Sequence, residues 1–485
     1  MDTKSIAKNG VKWTTLSTAT TAVVGLLRLS ILTRFLEKSD FGIVSIVMLV
    51  LGLTQTFSDL GFAAAIMHKQ NLSRKEFSSL YWIQIIIYGF IYVVIAICSP
   101  LIAIFYKTEV LDIILPIALL DLVFMGVGRL YGTLLQKNFQ FKTIALRNII
   151  SAILSLIVAV VLAALGAGVY SLIVSTLFHT LMSNVWNFVA GQKQIKLSFS
   201  IQLKENIPLI KIGLYQTGTQ VVDYLASKID VLLIGRFLSM DLLGIYSLAK
   251  ELLIKLITII NSIAVTVTTP ILAANQSDLG RLKNSYCKTI HYLTLVTFPV
   301  VMATIVLSRP LIILLYGINY LEAAELIVIL SLWTIEVCVH NPVGGLVSAT
   351  GRTDLSFYYS LIRILINTIA VFITVNISIK AVAYGQSITS LIIFFIVFYM
   401  VIWKVTGLTI NNFIRAFSKQ ALICLIIGAP FTLFVNRNII SLPNNALLQL
   451  VVYGTILMIV LILVMYCFMR TEITELLNFK NNDRA

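Results

Sequence analysis

The chain has 485 residues, of which 59% are hydrophobic and 12% are charged, and its mean hydropathy is +0.96. This composition excludes a soluble globular protein, because so many apolar side chains could not all be hidden from water. The net charge of +15 would suit a nucleic-acid-binding protein, but the basic residues gather in alternate loops between apolar stretches. We therefore expect an all-α, polytopic membrane protein with no nucleic-acid partner.

Fourteen apolar stretches are long enough to cross a bilayer as helices, which takes about 20 residues. The first six lie at residues 11–36, 41–67, 78–106, 110–135, 144–165 and 168–190. Six more lie at residues 207–235, 241–274, 287–316, 320–348, 354–376 and 379–403, and a last pair lies at 418–436 and 446–469. The predicted organisation is an N-terminal six-helix bundle (1–190), a cytoplasmic linker (191–206), a C-terminal six-helix bundle (207–403), and two additional helices with a cytoplasmic tail (404–485).

Most Lys and Arg residues lie on one side of these spans, and Lys137, Lys142, Arg147, Lys193 and Lys196 belong to this set. By the positive-inside rule that side is cytoplasmic, and it includes both termini. Most of the positive charge is then explained by topology.

The first six spans are repeated as the next six, about 202 residues later. The segment RFLEKSDFGIVS (34–45) shares six of twelve residues with RFLSMDLLGIYS (236–247), without a gap. The pair SPLIAIFYKTEVLD (99–112) and RPLIILLYGINYLE (309–322) continues the match after a small insertion. Internal repeats of this kind are typical of transporters, whose substrate site lies between the halves.

The repeated first and seventh spans both carry a polar stripe along one helical face. In the seventh span the stripe runs through Gln216, Gln220, Asp223, Ser227 and Asp230, at spacings of three and four residues. In the sequence repeat, Arg28 of the first span occupies the position equivalent to Asp230 of the seventh. The matched faces are therefore polar in both halves but differ in charge, and one alternative is that Arg28 and Asp230 form a salt bridge.

Other charged residues also fall inside predicted spans, where a lipid-facing charge costs about 2.5 to 3.5 kcal/mol. Glu251 and Lys255 have the spacing of a structural ion pair. His340 lies one turn from Glu336, and a His beside a carboxylate can titrate near neutral pH. Asp59 near a span end could merely cap its helix, and His179 and His291 suit packed or hydrogen-bonded positions.

No catalytic or metal centre is expected. The five cysteines, Cys98, Cys287, Cys338, Cys424 and Cys467, have no paired spacing. The chain has no G-x-x-x-x-G-K-[ST] loop for ATP phosphates and no loop long enough to be a catalytic domain. Uphill transport would need an ion gradient or the substrate gradient.

Five segments resemble the Wzx-type polysaccharide flippases, and above all the colanic-acid and teichuronic-acid exporter branch of the multidrug/oligosaccharidyl-lipid/polysaccharide exporter superfamily. They are GVKWTTLST (10–18), FSDLGFAAAIMHKQNLS (57–73), LLQKNFQF (134–141), VVDYLASKIDVLLIGRFLSMDLLGIYSLA (221–249) and NPVGGLVSATGRTDLSF (341–357). The similarity covers most of the first twelve spans.

The resemblance implies a flippase in the bacterial cytoplasmic (inner) membrane that moves an undecaprenyl-pyrophosphate-linked oligosaccharide from the cytoplasmic to the outer leaflet. It also implies two pseudo-symmetric six-helix bundles in a V shape that open alternately to each side. Membrane lipid and other polysaccharide-assembly proteins would be its further partners.

Relatives commonly bind the pyrophosphate through basic residues in a central cavity. Our hypothesis for the substrate-binding residues is Arg28, Arg129, Lys228, Asp230, Lys250 and Arg363. For a coupling ion, H⁺ or Na⁺, the hypothesis is Asp59, Asp223, Glu336 and His340. No other cofactor is expected.

Three alternatives stay open at this point. A MATE-like cation or drug antiporter would share the duplicated bundles, but its cationic substrate favours an acidic cavity. A polysaccharide polymerase or ligase would need a sizeable outer loop with catalytic residues. A scaffold protein of the assembly pathway would not explain the matched polar stripes.

Overall fold

The computed structural model describes residues 3–58, 62–68, 73–199, 203–274, 278–436 and 445–468, and these residues form helices and short connections. The first nine helices are α1 (Thr3–Leu32), α2 (Lys38–Ser58), α3 (Phe62–His68), α4 (Arg74–Tyr106), α5 (Val110–Lys137), α6 (Phe141–Ala164), α7 (Val169–Gln192), α8 (Leu203–Phe237) and α9 (Met240–Ala274). The others are α10 (Leu279–Val306), α11 (Ser308–Leu315), α12 (Glu322–His340), α13 (Pro342–Thr350), α14 (Thr353–Val375), α15 (Ile379–Val397), α16 (Trp403–Thr406), α17 (Ile410–Asn436) and α18 (Ala446–Phe468). A 3₁₀ turn (Ile318–Tyr320) precedes α12, and a π-helical turn (Phe398–Ile402) joins α15 to α16.

Among the described residues, 12 helical segments are long and apolar enough to cross a membrane. They correspond to 12 of the 14 predicted spans. The other two predicted spans coincide with α8 and α9, each of 35 residues, or about 52 Å of helix. Charged residues on α8, among them Asp223, Lys228 and Asp230, lower its hydropathy. The predicted all-α, multi-pass membrane architecture is confirmed.

The chain forms two compact units. The first comprises Met1–Ser247 and Ser360–Ile379, and the second comprises Leu248–Tyr359 and Lys380–Ala485. Helix α8 and most of α14 therefore group with the N-terminal helices, although the sequence repeat assigns them to the second half. The domain boundaries at 190, 206 and 403 follow the sequence repeat and stay a prediction.

In the first unit, α5 and α7 approach each other through glycines. A Cβ atom on Gly128 would lie 2.1 Å from the carbonyl oxygen of Asn184, and one on Gly191 would lie 2.2 Å from the Tyr131 ring. Gly132, one turn after Gly128, faces the Asn187 side chain. Small residues spaced in this way let membrane helices pack with their backbones nearly touching. This contact fixes α7, which carries much of the polar interior.

The second unit is centred on aromatic side chains from α10, α15 and α17. Phe398 and Phe413 are buried with their ring centroids 5.3 Å apart, and Phe394 lies 5.7 Å from Phe413. Tyr453 brings α18 onto a neighbouring cluster of buried residues. The opposite face of α18 exposes apolar side chains such as Ile459 and Ile462, as expected for a surface that meets lipid.

Candidate functional site

Arg28 of α1 is anchored to α7 through one nitrogen. Its Nη2 donates to the carbonyl oxygen of Leu172 at 2.8 Å, to Ser175 Oγ at 2.7 Å and to Thr176 Oγ1 at 3.0 Å. Its Nε is buried without a hydrogen-bond partner. No carboxylate of the described chain lies within ion-pair distance of this guanidinium, so its positive charge is held by neutral groups alone.

The acceptors on α7 are available because of how hydroxyls behave in helices. Ser175 Oγ donates to the carbonyl oxygen of Ser171 at 2.6 Å, and Thr176 Oγ1 donates to that of Leu172 at 2.8 Å. Each hydroxyl oxygen can still accept while its own proton bonds back to the preceding turn. The Ser and Thr residues therefore turn one face of α7 into an acceptor surface for Arg28.

Asp230 of α8 is almost fully buried and has different partners. Its Oδ2 accepts from the Tyr246 hydroxyl at 2.6 Å, and its Oδ1 accepts from the backbone N–H of Val231 at 2.9 Å. Arg28 bonds to α7 instead, so the alternative of a mutual Arg28–Asp230 salt bridge is wrong. Equivalent positions of the repeat thus have unlike charges and unlike partners.

The structure brings together Asp223 of α8 and Arg363 of α14. Arg363 Nη2 lies 3.7 Å from Asp223 Oδ1 and donates to the backbone oxygen of Asp223 at 3.2 Å. The buried Ser360 hydroxyl donates a short hydrogen bond to the same carboxylate. The side chains of Asp223 and Arg363 are 44% and 27% exposed, so water screens this ion pair.

Arg129 and Lys228 lie on α5 and α8 of the first unit. Both are half-buried, and both have polar or electrostatic partners. Asp59, the remaining acid predicted in the N-terminal part, lies outside the described residues.

The second unit holds the other predicted residues. Lys250 of α9 is buried, with its Nζ 5.2 Å from the centroid of the Trp333 ring. On α12, His340 Nδ1 lies 2.7 Å from Glu336 Oε1, and both side chains are at least nine-tenths buried. His340 Nε2 is buried without a partner, and its ring packs 5.1 Å from Phe394. The predicted Glu336–His340 contact is confirmed.

Two structural predictions are also confirmed in the second unit. Lys255 and Glu251 pair at 3.0 Å, and His291 Nδ1 lies 2.9 Å from the carbonyl oxygen of Ala416. Within the described residues, no three His, Cys, Asp or Glu side chains group closely enough to hold a metal ion.

Comparison with known protein families identifies the family of this chain. The family model described as polysaccharide biosynthesis protein matches residues 31–325, more than half of the chain. The chain belongs to the polysaccharide biosynthesis protein family. The resemblance to Wzx-type flippases read from the sequence is thereby confirmed. The matched region contains Asp223, Asp230 and Lys250, whereas Arg28 precedes it and Glu336 follows it.

Two curated relatives are similar to the chain over most of their length. Teichuronic acid biosynthesis protein TuaB of Bacillus subtilis (strain 168) is 26% identical over 421 residues, which cover 87% of each chain. Lipopolysaccharide biosynthesis protein WzxC of Escherichia coli (strain K12) is 23% identical over 355 residues, or 73% of this chain and 72% of WzxC.

Solved structures show the same fold. The lipid II flippase MurJ in its inward closed conformation matches with a TM-score of 0.74 and 18% identity, over 94% of this chain and 98% of MurJ. An inward-facing multidrug resistance MATE transporter of the MOP superfamily matches with a TM-score of 0.59 and 15% identity, over 84% of this chain and 96% of the transporter. This polysaccharide biosynthesis protein therefore has the fold of the MOP exporters.

Sequence reasoning missed Arg147, which it counted among the loop residues. Arg147 lies on α6, and all three guanidinium nitrogens have partners: Nη1 donates to Asn187 of α7, while Nε and Nη2 donate to Asn148. Arg28 therefore contacts α7 near Ser175, and Arg147 contacts it at Asn187. These two positions on α7 are about 18 Å apart along the helix axis. The polar residues along one face of α7 could have indicated from sequence that Arg147 has partners there.

Asp121, in the fourth predicted span, is not among the residues predicted for the site. This carboxylate of α5 is buried, and its Oδ2 accepts from Gln55 Nε2 of α2 at 2.8 Å. Its Oδ1 is buried without a partner. Asp121 therefore adds an acid to the interior of the first unit.

Proposed function

We propose that this protein is a flippase that moves an undecaprenyl-pyrophosphate-linked polysaccharide repeat unit from the cytoplasmic to the outer leaflet of the bacterial inner membrane. Membership in the polysaccharide biosynthesis protein family supports the pathway, and the fold shared with the lipid II flippase MurJ supports the mode of transport. The single observation that carries the proposal is the state of Arg28.

Arg28 has the features of an anion-binding residue. A charge inside a membrane span is costly unless an anion or polar groups compensate it, and the groups that hold Arg28 are all neutral. Because only Nη2 is used for anchoring, Nε remains to donate to a ligand. A guanidinium binds phosphate oxygens through charge-assisted, often bidentate hydrogen bonds, so a diphosphate would supply the missing anion.

The lipid part of the substrate needs no enclosed site. The diphosphate and sugars would enter the polar interior while the polyprenyl tail stays in the bilayer. Translocation then proceeds by alternating access, with the polar site open to one leaflet at a time. The sugars are carried but not altered, so no catalytic residue is required.

Ion coupling is assigned to Glu336 and His340. The pair can carry one more or one fewer proton, and a transported proton drives the cycle if the two conformations bind it with different affinity. The buried, unpartnered Nε2 of His340 supports H⁺ over Na⁺, because a ring nitrogen binds a proton readily whereas Na⁺ prefers several oxygen ligands.

The test uses purified full-length protein in proteoliposomes that contain undecaprenyl diphosphate linked to a fluorescent oligosaccharide. Accessibility of the probe to a membrane-impermeant quencher reports its translocation. We expect Arg28→Gln to abolish translocation, while Arg281→Gln, at a highly exposed position, translocates like wild type. Normal translocation by Arg28→Gln would refute the role of Arg28.

The MATE-like antiporter is the main competing function, since MATE transporters share the fold. Uptake of ethidium into the same vesicles separates the two. Ethidium transport by wild type, without movement of the lipid-linked probe, would favour the antiporter. A polymerase or ligase would instead lengthen or transfer the glycan of the probe, which mass spectrometry of the extracted lipid would detect.

A further inference from the structure

An open cavity of about 600 Å³ lies between the start of α6 and the second half of α7. One wall is apolar and formed by α7, chiefly Met182, Val185 and Val189. One end of the cavity is polar and includes Gln140, Thr143 and Lys193. The cavity is therefore amphipathic along its length, and Arg28 is not among the residues that line it.

The cavity lies at the ends of two candidate membrane spans, where the membrane–water boundary is expected. Helix α6 begins at Phe141 and α7 ends at Gln192, and both are candidate membrane spans. Val185 and Val189 are 42% and 56% exposed, so the apolar wall is open to lipid. Phe139, in the adjoining turn, is 64% exposed and has a φ of 55°, which is unusual for an aromatic residue and turns its ring toward the surface.

The polar end carries donors and a positive charge. Lys193 caps the C-terminus of α7, where a cation is favoured by the helix dipole. Thr143 contributes a hydroxyl. Asn138 Nδ2 donates to Gln194 Oε1 at 2.5 Å, which fixes the Gln194 amide at the rim and leaves its N–H groups for a ligand. No acidic residue is among those that line the cavity.

We propose that this cavity binds an anionic glycerophospholipid, with its phosphate at Lys193 and Thr143 and an acyl chain along Met182, Val185 and Val189. The charge of the polar end favours one class of lipid over another. One ammonium group with neutral donors suits the single negative charge of phosphatidylglycerol, whereas a polyprenyl diphosphate carries more charge than this end compensates. Trp186, which also lines the cavity, is a residue type enriched where membrane proteins meet headgroups.

A lipid in this position would touch both α6 and α7. Deeper in the unit the same two helices are joined by the hydrogen bond from Arg147 to Asn187. The lipid would therefore brace a helix pair that also supports the Arg28 anchor on α7. On the predicted topology the bound lipid belongs to the cytoplasmic leaflet.

Native mass spectrometry of the purified full-length protein tests this proposal. Phosphatidylglycerol and phosphatidylcholine of matched acyl chains are titrated against wild type, Lys193→Gln, Ala190→Phe and Lys75→Gln. We expect wild type to prefer phosphatidylglycerol, Lys193→Gln to weaken phosphatidylglycerol binding about tenfold, and Ala190→Phe, which fills the apolar end, to weaken binding of both lipids. Lys75→Gln removes an exposed lysine outside the cavity and should bind like wild type.

Two results would overturn the proposal. One is equal retention of the two lipids by wild type, a result that depends on no variant being folded. The other is displacement of phosphatidylglycerol by an equimolar amount of undecaprenyl diphosphate, which would make the cavity a substrate site. Translocation is not measured in this experiment, so its outcome is independent of the proposed flippase activity.

Discussion

Gly42 and Gly244, which occupy equivalent positions in the sequence repeat, make reciprocal contacts at the starts of α2 and α9. A Cβ atom on Gly42 would lie 2.1 Å from the carbonyl oxygen of Met240, and one on Gly244 would lie 1.9 Å from that of Lys38. Lys38 and Met240 are themselves equivalent in the repeat. The contact therefore has local two-fold pseudo-symmetry, as in an interface where each partner uses the same patch.

Replacing either glycine by alanine should destabilise the protein, because no Cβ atom fits against a backbone oxygen at these distances. Overpacking of this kind costs about 1 to 3 kcal/mol. The double variant Gly42→Ala/Gly244→Ala should cost less than the sum of the single variants, since a shift of the helices that relieves one clash relieves part of the other. Equilibrium unfolding in detergent measures all three.

Gly89→Ala is the matched control, because no atom lies within 4 Å of the Cβ position at Gly89 in the middle of α4. It should leave stability unchanged or raise it slightly, as alanine favours helix over glycine. If the costs of the Gly42 and Gly244 variants simply added, the two glycines would not share one contact.

Replacing Arg28 should weaken the binding of a diphosphate to the protein, whereas replacing Arg147 should not. Arg28→Gln should weaken binding of undecaprenyl diphosphate about 10- to 100-fold, the value of one or two charged hydrogen bonds, and Arg28→Lys should retain part of the affinity through its charge. Arg147→Gln should leave affinity unchanged, because its nitrogens are all used within the protein. Native mass spectrometry with undecaprenyl diphosphate provides the measurement, and equal losses for the two arginines would contradict the assignment.

Features set within one helix or by the repeat were predictable from sequence. Apolar length located the spans, and helical spacing placed Glu251 beside Lys255 and Glu336 beside His340, since residues four apart meet on any α-helix. The repeat in turn predicted that Gly42 and Gly244 are equivalent. Each of these relations follows from regular geometry and needs no knowledge of how helices pack.

Contacts between helices were not predictable in this way. Arg28 finds its acceptors on α7, 144 to 148 residues away, because hydroxyls on that helix present their oxygens at the right depth. The pairing of Asp223 with Arg363 depends on α14 packing beside α8. Side-chain periodicity shows which face of a helix is polar, but the shapes of all neighbouring helices decide what that face meets.

Asp223 and Arg363 should affect substrate affinity in opposite directions. The carboxylate compensates part of the charge of Arg363, so Asp223→Asn should strengthen binding of undecaprenyl diphosphate and Arg363→Gln should weaken it. The pair is partly exposed, and exposed pairs are worth about 0.2 to 1 kcal/mol, so Asp223→Asn should change affinity less than about fivefold.

The control for this pair is Asp354→Asn, at an exposed position that precedes the candidate membrane span Phe357–Val375 of α14. The Arg352 guanidinium hydrogen-bonds Asp354 and holds the pKa of that carboxyl below its usual range, so Asp354 is ionised at neutral pH and its loss removes the same formal charge as Asp223→Asn. Affinity should not change in the control. An equal gain in both variants would show that net charge, and not the contact with Arg363, is responsible.

His340→Gln should remove the response of translocation to a pH gradient. The glutamine amide can still donate to Glu336, but it has no ring nitrogen to take up a proton, so the hydrogen bond is preserved while the proton-binding atom is lost. In proteoliposomes, wild type should translocate faster with a pH gradient than without one, and His340→Gln should proceed at the same rate in both conditions. His291→Gln is the control. The Nε2 of His291 is also buried without a partner, but its Nδ1 lies against the carbonyl oxygen of Ala416 and not against a carboxylate, so its replacement should leave the response intact. A variant lacking His340 that still responds to the gradient would mean that the proton is carried elsewhere, and the buried Asp121, whose Oδ1 has no partner, would then be the next carboxylate to replace.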